Sequence, residues 1–173
     1  MASEKTKCRS QWNSEKDGND TYFVPIQAVK TYLQESESER LKGILEELYA
    51  IPCSSLPPPP EIVLNEYVAI LCILVSIDQG ATLHEFTRNN IRDVSLPLPV
   101  DPKQNPQHFP PDTGKFYKKF CREQWKFCAP EFSVNLDRNF DKNLILPIER
   151  MEQIGEGASA EIHMIEIHSA YNK

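Results

Sequence analysis

The stretch E-I-V-L-N-E-Y-V-A-I-L-C-I-L-V-S-I-D-Q-G, residues 61–80, decides the fold. Apolar side chains fill nearly every position from Tyr67 to Ile77, so a helix here has no polar face to present to water. We therefore predict a buried core helix that ends at Gly80 in the left-handed conformation. The apolar run is much shorter than the roughly 20 residues that a helix needs to cross a bilayer, and we expect no membrane span.

Amphipathic patterns flank the core stretch and provide its expected packing partners. A capping box, Ser36 with Glu39, precedes the clearest amphipathic pattern in the chain. Its apolar residues follow the i, i+3, i+4, i+7 spacing of a helix: Leu41, Ile44, Leu45 and Leu48. Shorter helical patterns begin near Pro25 and at Thr82. The fold class is therefore expected to be mainly α, a small bundle-like module of about four or five helices.

Proline-rich stretches at residues 56–60 and 97–111 divide the chain. Proline is excluded from helix and strand interiors, so we predict that both are linkers. The first linker also has an alternative interpretation as a docking segment for a proline-binding domain. Residues 1–20 are polar and charged and are expected to be a disordered tail. A helical module over residues 21–143 and a separate unit over residues 144–173 complete the expected organisation.

Composition excludes several function classes. The net charge of -6 and the pI near 5.3 argue against a surface built to bind nucleic acid or anionic lipid. The amino-terminal residues lack the apolar core of a secretory signal, and the five cysteines form an odd set without close pairs. We expect an intracellular protein, cytoplasmic or nuclear, with free thiols and no small-molecule substrate.

Histidine and cysteine spacing does not predict a metal site. His163 and His168 are five residues apart on an expected strand, so they point to opposite faces. Cys121 and Cys128 are seven apart, which is a packing distance on one helix face. No Ser, His and Asp arrangement indicates a nucleophile either.

One helical pattern is basic within this acidic chain. Residues 113–143 carry seven Lys or Arg against four Asp or Glu, a local charge of +3. The apolar side of the pattern consists of Phe116, Tyr117, Phe120 and Cys121, with Trp125 and Phe127 following. The preferred interpretation is a solvated basic face whose aromatic residues lie in the core. A surface that binds an acidic partner is the alternative.

The stretch L-P-I-E-R-M-E-Q-I-G-E-G-A-S-A-E-I-H-M-I-E-I-H, residues 146–168, has a strand-like pattern with a glycine turn. Gly155, Gly157, Ala160 and Ile162 match the spacing of the G-x-G-x-x-G-x-V nucleotide loop, with the third glycine and the valine replaced. The glycines let backbone amides approach phosphate, and a branched residue covers an adenine ring. An ordinary hairpin turn is the alternative for such a glycine pair.

Strand, glycine turn and strand is the order found at the start of a eukaryotic protein kinase domain. The chain resembles fungal kinase-like proteins that carry a helical region upstream of that domain. The resemblance is specific over residues 145–173 and looser over residues 66–80, 91–98 and 120–132. It implies that Gly155, Gly157 and Ala160 cover phosphate and that Ile162 forms the adenine roof. In a full-length parent of this family the ligands are ATP and Mg²⁺.

The rest of the family's machinery lies on later elements. Its phosphate-pairing lysine, its glutamate and its catalytic and metal-binding residues would follow Lys173, which itself comes too early for the lysine role. We therefore expect a truncated amino-terminal fragment of a fungal Ser/Thr protein-kinase-like protein, with no catalytic residue and no bound cofactor. Its incomplete hairpin is expected to be poorly ordered unless it leans on the helices. The alternative is a helical protein–protein interaction module without enzymatic activity.

Overall fold

The computed structural model describes residues 15–16, 22–35, 39–50, 56–99, 114–133, 139–157 and 159–172. Most of the expected tail at residues 1–20 lies outside these ranges, as do Ser36 of the capping box and residues 100–111 of the second linker. Within the tail, Glu15–Lys16 forms a two-residue strand. It pairs antiparallel with Tyr22–Phe23, so at least this part of the tail has a partner in the fold.

The described chain is mainly α with a β-hairpin, which confirms the predicted fold class. The elements in chain order are β1 (Glu15–Lys16), β2 (Tyr22–Phe23), α1 (Ile26–Gln34), α2 (Glu39–Leu48), α3 (Pro60–Glu66), α4 (Val68–Ser76), α5 (Leu83–Arg88), α6 (Gly114–Glu123), β3 (Ile148–Glu156) and β4 (Glu161–Ile167). Short 3-10 turns occur at Gly80–Thr82, Asp93–Ser95, Gln124–Phe127 and Ser169–Tyr171. None of the helices among the described residues has the length and apolar character that a membrane span requires.

The predicted core helix is two helices, and the prediction of one continuous helix over residues 61–80 was wrong. The chain leaves helical geometry at Tyr67, where φ is -135° and ψ is 18°. Helix α3 ends before this residue and α4 begins after it. All residues of α4 from Val68 to Val75 are buried, as the apolar pattern predicted. Periodicity indicated the burial but contained no signal for the break.

Asp93 explains why the chain can break at Tyr67. A new helix start leaves backbone N–H groups without partners, and this one is surrounded by apolar side chains. The two carboxylate oxygens of Asp93 accept hydrogen bonds from the N–H groups of Ala69 and Ile70, each at 3.0 Å. Asp93 thus caps α4 from a position 24 residues further along the chain.

The end of α4 also differs from the expectation. Asp78, not Gly80, occupies the left-handed region, with φ of 61°. The N–H of Gln79 donates to the carbonyl of Leu74, and the N–H of Asp78 donates to that of Val75, which is the Schellman pattern. Gly80 is needed for a different reason, since a Cβ there would lie 2.5 Å from Cδ2 of the buried Leu48.

The remaining helices surround α4 and form the main hydrophobic core. The predicted stripe of α2 is fully confirmed, because Leu41, Ile44, Leu45 and Leu48 are all buried. The apolar side of α6 is buried too, and Phe120 stacks on Phe86 of α5 with ring centroids 5.2 Å apart. Helix α6 ends at Glu123, so Cys121 and Cys128 do not share one helix as their spacing suggested.

The two expected linkers are partly structured where they are described. Pro60 forms the first residue of α3, a position where the missing N–H of proline carries no cost. At Leu98 the side-chain amide of Gln124 accepts from the backbone N–H and donates to the backbone C=O, at 2.7 and 2.9 Å. Gln124 is completely buried, and these two hydrogen bonds satisfy its amide.

A second, smaller hydrophobic cluster anchors the base of the hairpin. It contains Phe23, Ile145 and Tyr171, with Trp125 and Ile167 packed against them. The hydroxyl of Tyr171 donates to the carbonyl of Val24 at 3.0 Å. Among the described residues, this cluster and this hydrogen bond hold the base of the hairpin against the helical module.

Replacing Asp93 tests the cap of α4. We expect Asp93→Ala to lower the free energy of unfolding by about 2–3 kcal/mol, because two partly buried N–H groups lose their acceptor. Asp93→Asn is the matched control, since its amide oxygen keeps one acceptor, and its loss should be smaller. Urea unfolding followed by circular dichroism measures both. A loss for Asp93→Ala within about 0.5 kcal/mol of wild type would contradict the role assigned to the cap.

Candidate functional site at the glycine turn

Strands β3 and β4 pair antiparallel and meet in the predicted glycine turn. In their register Gly155 lies opposite Ile162, and Glu156 lies opposite Glu161. The structure thus brings all four sequence-predicted residues, Gly155, Gly157, Ala160 and Ile162, to one end of the hairpin. The observed order of strand, turn and strand is the one on which the nucleotide-loop prediction depends.

The backbone of the turn is closed on itself. The N–H of Gly157 donates to the carbonyl of Ala160 at 2.7 Å. Neither Gly155 nor Gly157 has a positive φ, so neither uses the conformational freedom expected of it. In this conformation the Gly157 amide serves the hairpin and is not directed at an outside acceptor.

Ile162 and Gly155 together form an apolar surface beside the turn. A Cβ built on Gly155 would lie 3.7 Å from Cδ1 of Ile162, so the isoleucine side chain extends across the glycine. Ile162 is 58% exposed. This is the residue that the resemblance makes the adenine roof, and its apolar side chain faces solvent at the mouth of the turn.

The charge around the turn is negative. The hairpin carries five carboxylates, at Glu149, Glu152, Glu156, Glu161 and Glu166, and one guanidinium, at Arg150. Arg150 lies 3.2 Å from Glu152, and His163 lies 3.0 Å from Glu161. An acidic surface of this kind repels phosphate. The turn therefore has the glycine spacing of a nucleotide loop, but residues 155–162 contain no lysine or arginine to supply the positive charge that phosphate binding requires.

A cavity of about 380 Å³ lies away from the turn, where the helical module meets the chain after β4. Its polar lining includes Lys30, Asp93 and Cys128, none of which sequence reasoning selected as a site residue. Burial raises the pKa of Asp93, although the N–H groups of Ile70 and Ala69 lower it. Burial, with the nearby Asp93 charge, raises the pKa of Cys128 to about 12. A thiol with this pKa is protonated at neutral pH and is not a nucleophile.

The potential metal ligands lie apart in the described ranges. No group of three or more His, Cys, Asp or Glu side chains in those ranges is placed to hold a metal ion. His163 contacts Glu161, whereas His168 lies near the base of the hairpin, with its ring 5.5 Å from that of Phe23. Cys72, Cys121 and Cys128 are reduced thiols.

No family model matches the chain, and neither a curated protein nor a solved structure matches it. The functional interpretation therefore depends on the residues of the hairpin and of the helical surface.

Glycine-to-alanine variants test whether the turn needs glycine for folding. We expect Gly155→Ala and Gly157→Ala to change the free energy of unfolding by less than about 1 kcal/mol, because neither glycine has a positive φ and the nearest non-adjacent atom that an added Cβ would meet is the Ala160 carbonyl oxygen, 3.4 Å from the Cβ at Gly157. Gly80→Ala is the contrasting variant and should destabilise by about 1–3 kcal/mol through overpacking against Leu48. Thermal and urea unfolding measure all three. Equal losses at the three positions would contradict this distinction.

Proposed function

We propose that residues 144–173 are the first two strands of the small lobe of a fungal-type Ser/Thr protein-kinase-like protein. In this proposal the glycine turn covers a nucleotide only when the rest of the lobe is present. The chain by itself neither binds ATP measurably nor transfers a phosphoryl group. The helical module over residues 21–143 precedes the lobe in the chain and packs against its base.

The observation that supports this proposal is the uncovered apolar surface of the hairpin. Five of its large apolar side chains are between 43% and 61% exposed: Met151, Ile154, Ile162, Met164 and Ile165. They lie on both faces, since Met151 pairs with Ile165 on one face and Met164 pairs with Glu152 on the other. A two-stranded ribbon is marginal in water by itself, so such a surface is typical of two strands within a larger sheet.

The chemistry of the chain agrees with a part rather than a whole enzyme. Phosphoryl transfer needs a cation on the phosphates, a metal site and a residue that orients the nucleophile. The turn offers none of these, and its neighbours Glu156 and Glu161 are both exposed carboxylates. The contribution expected of Gly155, Gly157 and Ala160 is close backbone approach, and that of Ile162 is an apolar contact.

Transcript sequencing through the 3′ end of the coding region tests the proposal first. We expect the message to continue into a third strand with a lysine, followed by the catalytic elements of a kinase. The longer product should bind ATP·Mg²⁺ by calorimetry, whereas the chain ending at Lys173 should show no saturable binding up to about 1 mM. A message that ends after Lys173 would contradict the proposal.

Within that longer product, Gly157→Val should weaken ATP binding by at least about tenfold, because a branched side chain blocks backbone approach to phosphate. Lys42→Ala is the matched control, since Lys42 is exposed on α2 and is not part of the hairpin. Its ATP affinity should equal that of the unaltered product. Equal affinity for all three proteins would exclude the glycine turn from the nucleotide site.

A second candidate function, a helical interaction module, is favoured by the surface of α6. One side of this helix is buried, and the opposite side exposes four cations: Lys115, Lys118, Lys119 and Arg122. Arg122 approaches Glu123 at 3.8 Å, but no ion pair joins the three lysines to another part of the described chain. A cationic stripe on an acidic protein is typical of a surface that binds an acidic partner.

A labelled peptide of ten glutamates tests this stripe by fluorescence anisotropy at low salt. We expect Lys118→Ala combined with Lys119→Ala to weaken binding by about threefold to tenfold, since each exposed charge contributes a fraction of a kcal/mol. Lys42→Ala is the control, an exposed lysine on α2. Unchanged binding in the double variant, or equal loss in the control, would remove α6 from the interaction.

A further inference from the structure

We propose that the outer edge of β4 binds an extended, basic segment of a partner protein by adding it as a third strand to the hairpin. This proposal does not rest on the kinase-like one, because it concerns the edge of the strand rather than the glycine turn. It follows from the direction of the backbone groups, the regularity of β4 and the charge of the hairpin.

Hydrogen bonds at the two ends of β4 define which backbone groups point outward. The carbonyl of Ala160 accepts from Gly157, and the N–H of His168 donates to Pro147, so both of these residues face β3. Because backbone groups alternate along a strand, the even-numbered residues between them also face β3. The N–H and C=O groups of Glu161, His163, Ile165 and Ile167 then point away from β3. No hydrogen bond joins them to another element of the described chain.

The two edges of the hairpin differ in their suitability for strand addition. Both register shifts fall in β3, between Ile148 and Arg150 and between Gln153 and Gly155. Bulges of this kind disrupt an edge and protect it from pairing. Strand β4 has no such shift over its seven residues, from Glu161 to Ile167. The regular edge is therefore the one that an added strand would use.

An added strand would cover apolar side chains that are exposed on β4. Ile162 and Met164 lie on one face and are 58% and 52% exposed, and Ile165 lies on the other at 43%. Cross-strand contacts with apolar or branched residues would cover part of this surface. Main-chain hydrogen bonds supply affinity in strand addition, and alternating side chains supply specificity.

The charge of the hairpin indicates which kind of segment the β4 edge binds. The hairpin has five carboxylates but only one guanidinium in its sequence. Two of these carboxylates, Glu161 and Glu166, lie on β4 itself. A strand with lysine or arginine alternating with apolar residues complements this surface. A second copy of the chain would bring the same carboxylates to the edge, and like charges across strands are destabilising. The geometry and charge thus favour a basic partner segment over self-pairing.

A seven-residue peptide of alternating lysine and valine, with blocked ends, is the probe. Calorimetry should show saturable binding to the full chain that weakens as salt rises. A glutamate–valine peptide should bind at least about tenfold more weakly, because its charge repels the hairpin. A lysine–valine peptide whose amides on the pairing edge are methylated should also bind at least about tenfold more weakly, because it cannot donate main-chain hydrogen bonds to β4. Equal binding of all three peptides, or no binding of the lysine peptide, would overturn the proposal.

Ile165→Pro removes an outward N–H while leaving the hydrogen bonds to β3 in place, so it should abolish peptide binding. Ile165→Thr is the matched control, since it keeps the N–H and β propensity and should retain most of the affinity. Amide hydrogen exchange on the unaltered chain gives a readout that does not depend on how the proline variant folds. Peptide should protect the amides of His163 and Ile165 from exchange. Protection confined to other elements, or a peptide-independent dimer that buries the β4 edge, would overturn the assignment.

Discussion

The contact between the Asp93 carboxylate and the start of α4 is the constraint on which the helical module depends. Helix α4 is buried from Val68 to Val75, so its first backbone N–H groups need a hydrogen-bond acceptor within the protein. Asp93 supplies their acceptor, and in doing so it fixes the 3-10 turn Asp93–Ser95 against the core helix. Leu98 follows that turn and is held by Gln124. The Asp93 carboxylate thus holds the 3-10 turn against the start of α4, and Gln124, just after α6, holds Leu98, which follows that turn.

The two hydrophobic clusters differ in size and hold different parts of the chain. The main cluster holds the helices, whereas the cluster around Phe23, Ile145 and Tyr171 holds only the base of the hairpin. The hydrogen bond from the hydroxyl of Tyr171 to the carbonyl of Val24 joins the two clusters. Beyond this base, the main contacts of β3 and β4 within the described part of the chain are with each other. The part of the hairpin with candidate functional residues is thus the part that contributes least to the core, as is common for binding elements.

The features that were predicted from the sequence are those that depend on local hydrophobic periodicity. The i, i+3, i+4, i+7 stripe of α2 and the apolar side of α6 are buried as expected, and the strand pattern gave the hairpin with its glycine turn. The break at Tyr67 could not be predicted, because its cap comes from Asp93, far along the chain, and periodicity contains no information on such a contact. Gly80 was assigned a backbone role, yet the structure needs its missing side chain beside Leu48. The cavity near Lys30 and Cys128 also forms only when distant segments meet.

The negative charge of the hairpin connects the two functions considered for it. A glycine turn flanked by Glu156 and Glu161 repels phosphate, so a nucleotide binds there only where a cation from outside the hairpin offsets that charge. The β4 edge, with Glu161 and Glu166, is complementary to lysine or arginine on an added strand. Arg150 is the one cation of the hairpin, and Glu152 already lies beside it. Both proposed functions therefore require positive charge from outside the hairpin: nucleotide binding needs a cation beside the turn, and strand addition needs lysine or arginine on the partner.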